Sequence, residues 1–172
     1  MSGFNGDTKI IYSKVNHQTF MKSIIFKDAF DLLAKEENIE IFTHNPYNLK
    51  RFWTSTGFKC SLASDWVEFV IEDFCNRAAW TKFKVAADHL LPILRNDILL
   101  DLPASYIKPN DKLLFDVSLY TMCEIDCSEI LPLTIKDIIH SNSNNEEKCY
   151  TANVISEENP YFVLANGLIS HK

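Results

Sequence analysis

Glycine is scarce in this chain, with four in 172 residues, so no Gly-rich loop is present whose backbone amides would cradle phosphate. Long apolar runs are missing too. Ile98-Leu99-Leu100 stops at Asp101 and Ile130-Leu131 at Pro132, far short of the roughly 20 residues of a membrane-crossing helix. The stretch Met1-Ser2-Gly3-Phe4-Asn5-Gly6-Asp7 is polar, and no basic segment followed by an apolar run comes after it, so no export signal is read. Positive charge is in deficit: 17 Lys+Arg stand against 23 Asp+Glu, a net charge of −6, and the excess acid lies in the last two thirds. A nucleic-acid partner, which needs clustered cations to displace counterions, is disfavoured, and so is a membrane. The cysteines are odd in number, five, and widely spread, which fits reduced thiols in a cytoplasmic protein.

What is present suits one globular domain spanning 1–172, since 47% hydrophobic residues can build a core without disulfide or metal staples. Residues 1–7 read as flexible. Thr8 to Lys14 reads as a strand, and an amphipathic helix follows to about Glu37, with Met21, Ile25, Ala29, Leu32 and Leu33 at helical spacing. Ile39 to Thr43 alternates as a strand, and Pro46 opens a helix that Gly57 would stop. Ser64 caps a further helix to about Ala79, whose apolar face is Trp66, Val67, Val70, Ile71, Phe74 and Ala78. Lys82 to Leu94 reads as a buried helix, with a strand from Leu113 and a short helix over Thr134 to Ser141. The polar run at about 141–148 is a solvated loop, and Cys149 to Ile155 and Tyr161 to Ile169 read as strands. The expected class is α+β: an N-terminal β-α-β-α unit, central helices and C-terminal antiparallel strands.

Four constellations carry chemistry. Gln18 to Phe58 resembles the helix-strand-helix-strand segment of the coenzyme A-dependent N-acetyltransferase superfamily, through Gln18 at a helix opening and Phe52-Trp53-Thr54-Ser55-Thr56-Gly57-Phe58. The resemblance implies a pyrophosphate grip around Gln18 to Ser23. Met21 stands where that family has glycine, and Trp53 where it commonly has an acidic tyrosine. Second, Cys123, Cys127, His140 and Cys149 offer soft ligands at spacings that zinc accepts, although a second closely spaced pair is missing and buried thiols are the commoner outcome. Third, Asp88-His89 falls in the apolar 82–94 segment, where a structural histidine is expected. Fourth, Asp65, Glu68 and Glu72 line one side of the 64–79 helix with Phe69 at its border, a strip suited to a basic partner.

The sequence therefore points to a small acidic cytoplasmic protein-binding protein, an inhibitor, antitoxin or immunity protein masking a basic protein through Asp65, Glu68, Phe69 and Glu72. No cofactor, metal or catalytic residue is assigned on this reading. The alternative is an enzyme of an uncommon family, such as a degenerate acyltransferase.

Overall fold

Val, Ile, Phe, Trp and Thr make up ten of the 21 residues from Arg51 to Ile71, and such side chains pack well on a pleated surface. The computed structural model describes residues 3–14, 22–33, 39–72, 82–121, 129–156 and 158–172. In it the described residues are mostly strand: β1 (Phe4–Asn5), β2 (Lys9–Lys14), β3 (Lys22–Ile25), β4 (Ile39–His44), β5 (Arg51–Ile71), β6 (Lys82–Ala86), β7 (Leu90–Arg95), β8 (Ile98–Pro103), β9 (Lys112–Asp116), β10 (Ile130–Val154), β11 (Tyr161–Val163) and β12 (Ile169–His171). Helix is limited to α1 (Phe26–Leu33), α2 (Val117–Thr121) and one 3-10 turn, Ala104–Tyr106, among the described residues.

Ten strands form one sheet in the order β3-β2-β4-β5-β6-β1-β10-β9-β7-β8, and β11 pairs with β12. The sheet also folds back on itself. The 21-residue β5 and the 25-residue β10 pair antiparallel from Thr56↔Val154 to Ile71↔Ile135. Between Asp65↔Asn142 and Ala63↔Glu147 the residues 143–146 oppose Ser64 alone, a wide bulge that bends the ribbon. β1, two residues long, fits between β6 and β10, with Phe4 opposite both Val85 and Tyr150.

Aromatic rings fill the space this closure encloses. Phe26, wholly buried, stacks on Phe4 at 6.1 Å and meets Phe58 and Phe162 edge-on at 6.3 and 6.1 Å. Offset and edge-to-face contacts of this kind add to the gain from burial. β7 and β8 join through Asn96 and Asp97, both at positive φ (50° and 61°), the two-residue turn whose twist suits a hairpin.

The expected α+β class is overturned. β2 and β4 lie where strands were expected, but the predicted 17–37 helix is β3 followed by the short α1, with 15–21 and 34–38 outside the described residues. The helix expected after Pro46 is a turn leading into β5, and Gly57 sits within that strand. Residues 64–71 of the helix placed at 64–79 belong to β5, and 73–81 are not described. The reason is burial on both faces. Val67, Phe69 and Ile71 share the main-core face, but Trp66 is buried and Val70 half-buried on the other, so apolar residues on both faces mask the alternation and mimic a helical face. The segment 82–94 is β6, a turn and β7, and residues 134–148, expected as helix and loop, lie within β10. No helix among the described residues is long and apolar enough to cross a membrane.

Truncating Phe26 to alanine should cost about 3–5 kcal/mol, whereas Ile155→Ala, at a side chain 69% exposed, should change stability by less than about 0.5 kcal/mol. Urea unfolding of the two variants checks the difference.

Candidate functional site

The two ends of the chain meet at one imidazole. At the amino end, the Gly3 carbonyl accepts the Ala86 N–H at 2.7 Å, which fixes the entry of β1 against the end of β6. Gly3 has φ +150°, and a Cβ there would lie 2.7 Å from the backbone N and O of Tyr150. Position 3 therefore admits only glycine and offers no side-chain nucleophile.

After Ala86 the chain turns. The His89 N–H returns to the Ala86 carbonyl at 3.0 Å, while the His89 carbonyl accepts from Ala104 N–H at 2.9 Å. The imidazole is thereby aimed into the core, fully buried, with the Phe4 ring at 5.0 Å. Its Nε2 lies 2.7 Å from Ser170 Oγ, and that hydroxyl donates to the His171 carbonyl at 3.0 Å. A hydroxyl has one proton, so Oγ accepts from Nε2–H and the unprotonated nitrogen is Nδ1. Among the described residues Nδ1 has no hydrogen-bond partner. Burial, with a smaller contribution from the nearby His171, lowers the His89 pKa to about 3. The ring is thus neutral at physiological pH.

The carboxyl end arrives by the β11–β12 hairpin, in which Tyr161 opposes His171. Its turn needs Gly167 at φ +91°, with the Asn166 side-chain oxygen accepting Leu168 N–H at 3.0 Å. His171 Nδ1–H donates to the Lys172 carbonyl at 3.0 Å and so polarises it, and Lys172 N–H is held by the Pro160 carbonyl at 2.8 Å. The Tyr161 ring meets His171 edge-on at 5.4 Å, and its hydroxyl donates to Asp101 at 2.7 Å. Burial and then the Asp101 carboxylate push the Tyr161 hydroxyl well above the ordinary tyrosine range.

A buried ionic knot fixes this hairpin to the sheet. Asp116 N–H donates to the Gly167 carbonyl at 2.7 Å, and the Asp116 carboxylate accepts from His44 Nδ1 at 2.7 Å, Arg51 Nε at 2.9 Å, Ser118 Oγ at 2.6 Å and Leu119 N–H at 3.0 Å. Burial alone would raise the Asp116 pKa; the bonds from His44, Ser118 and Leu119 and the Arg51 charge outweigh it and hold it at about 2.

The residues expected to bind a partner lie elsewhere. Asp65, Glu68 and Phe69 are on β5, not on a helix, and Glu72 follows its end. Phe69 is wholly buried and stacks on Phe83 at 5.4 Å, so it cannot anchor a partner. Asp65 and Glu72 are exposed, Asp65 accepting from Asn142, while Glu68 lines a cleft of about 450 Å³ with Lys82 and Lys84. Of the zinc candidates, Cys123 and Cys127 are outside the described residues, His140 is exposed opposite Val67, and Cys149 is buried opposite Ser61. Gln18 and Met21 are also outside them, and Ser23 lies in β3 and Trp53 in β5, so no helix opens a phosphate site at Ser23.

Solved structures share this fold. An intein from a hyperthermophile superposes with a TM-score of 0.76 at 15% identity, with 100% of both chains covered. The fold is that of inteins. The bacterial intein-like domain from Clostridium thermocellum matches at a TM-score of 0.65 and 14% identity over 100% of this chain and 99% of that one. The DnaB intein from Synechocystis does so at 0.63 and 15%, over 100% and 99%. No family model and no curated protein sequence matches. The intein fold of self-splicing domains overturns the inhibitor, antitoxin or immunity reading, and it gives the acyltransferase alternative no support.

Sequence reasoning passed over the site. His89 was expected in a helix, and Ser170 and His171 carried no signal of their own. The Asn96-Asp97 dipeptide between apolar runs was the available clue, since it marks a hairpin beginning just after His89.

His89 is held neutral, so the unfolded chain binds its proton near pH 6.5 and the folded one only near pH 3. Its contribution to stability is complete above pH 6.5 and is lost as pH falls towards 3, at up to about 1.4 kcal/mol per unit. Urea midpoints at pH 7, 5.5 and 4.5 should fall more steeply for the unsubstituted protein than for His89→Gln.

Proposed function

We propose that this intein-fold chain is a self-processing domain that rearranges the peptide bond entering its amino end. One observation supports the reading above all: a buried, neutral His89 lies 5.0 Å from the Phe4 ring at the amino end and is bonded to Ser170 at the carboxyl end, and its Nδ1 has no partner among the described residues. Such convergence lets one base serve bonds at the chain termini.

Gly3 has no nucleophile, but the residue joined to it is Ser2. The Ser2 hydroxyl attacks the carbonyl carbon bonded to its own amide nitrogen: the O–C bond forms, the C–N bond breaks, and a flanking polypeptide becomes an ester on Ser2. The hydroxyl proton passes to the departing nitrogen as the C–N bond breaks, relayed by His89 Nδ1 without a standing positive charge on the ring. Water then hydrolyses the ester and frees the flank. At the other end His171 polarises the Lys172 carbonyl. The expected activity is scission at the amino side.

The test is a fusion with a carrier protein replacing Met1 and a reporter following Lys172. Hydroxylamine should release the carrier from the unsubstituted fusion, Ser2→Ala should abolish release, and His89→Gln should slow it by about 100-fold. A folded fusion that keeps its carrier in hydroxylamine overturns the reading.

A further inference from the structure

Ser170 stands where the strand pattern calls for an apolar side chain. In the β11–β12 hairpin, Ile169 and His171 lie opposite Val163 and Tyr161 on one face, while Ser170 lies opposite Phe162 on the face of the main core. Phe162 meets Phe4 edge-on at 6.3 Å, and Ser170 is wholly buried. A hydroxyl in such a place is costly unless its proton and a lone pair are both used. Here both are: Oγ accepts from His89 Nε2 at 2.7 Å and donates to the His171 carbonyl at 3.0 Å.

The two bonds together choose the tautomer of His89. With the ring proton on Nδ1 instead, Oγ would have to turn its own proton from the His171 carbonyl to Nε2, and Nδ1–H would be buried with no acceptor among the described residues. That swap loses one hydrogen bond and leaves one donor unpaired, so the observed arrangement wins. Ser170 itself is delivered by the hairpin. Ala165 N–H donates to the Lys9 carbonyl at 3.0 Å, Asp116 N–H donates to the Gly167 carbonyl at 2.7 Å, and Phe115 bridges to Leu168, so the hydroxyl reaches His89 through the seating of the hairpin on β2 and β9.

We propose that Ser170 is a positioning residue for the amino-end reaction: it selects the nitrogen of His89 that relays the proton, and it makes that relay wait for the seating of β12. The inference rests on the role of His89 at the amino end proposed above. A chain whose last strand is undocked presents an imidazole that can carry its proton on either nitrogen, and it processes its flank slowly.

Nitrogen NMR of histidine-labelled, uncleavable Ser2→Ala fusions reads the tautomer, and carrier release by hydroxylamine from cleavable fusions reads its consequence. At neutral pH the unsubstituted protein and Ser170→Thr, which keeps the hydroxyl, should both show His89 with a protonated Nε2 and an unprotonated Nδ1, and both should release carrier at the same rate. In Ser170→Val, close in shape to Ser170→Thr, the two resonances should move towards each other as the nitrogens share the proton. Release should slow by about tenfold, the scale of one lost hydrogen bond. Ser170→Ala, which adds no bulk to a buried position, should follow Ser170→Val. Unmoved resonances in the folded variants that lack the hydroxyl, or release as fast as from the unsubstituted fusion, overturn the positioning role. If no fusion releases its carrier and the resonances still move, the selection of the nitrogen stands and the reading of the amino end falls.

Discussion

The contact between His89 and Ser170 joins the turn that follows β6 to the last strand of the chain, across 81 residues of sequence. The surrounding architecture depends on that meeting. β1 must be pinned between β6 and β10 for Phe4 to reach the imidazole, and the β11–β12 hairpin must be fixed to the sheet for Ser170 to do so. Burial then sets the chemistry: a ring removed from water and bonded through Nε2 stays uncharged, with its proton on the nitrogen facing Ser170.

The supporting polar groups divide between the two ends. At the carboxyl end, Asp116 ties His44, Arg51 and Ser118 together and grips Gly167 through its backbone, so the hairpin turn is anchored by charge-assisted bonds in a buried setting. At the amino end the anchor is steric. The backbone of Tyr150 lies too close to Gly3 for any side chain, which forces the strand to enter by a single path. Both devices fix the backbone of the two ends of the chain against the sheet.

Part of this was legible in the sequence. β2 and β4 were recognisable because Ile10-Ile11-Tyr12 and Ile39-Glu40-Ile41 combine high strand propensity with clear boundaries. β5 was not, because Trp66, Val67, Phe69 and Ile71 are buried against β6, β10 and the core on both sides of the strand, which erases alternation. The same burial moved Phe69 from an expected surface anchor to an interior ring. For β7 and β8, the Asn96-Asp97 turn was present, but the apolar run Leu90-Leu91-Pro92-Ile93-Leu94 reads equally as a buried helix when length alone arbitrates.

By itself the sequence determined that this is a single acidic chain with enough apolar residues for one core and no membrane-length helix, because these follow from composition and run lengths. Only the tertiary structure decided the class of fold and the site. Residues 3, 89, 170 and 171 come together through strand pairings across most of the chain, and a neutral imidazole whose Nδ1 has no partner among the described residues arises from burial and from one serine hydroxyl. Neither long-range pairing nor burial is encoded in local spacing, so a histidine that looked structural became the centre on which both ends converge.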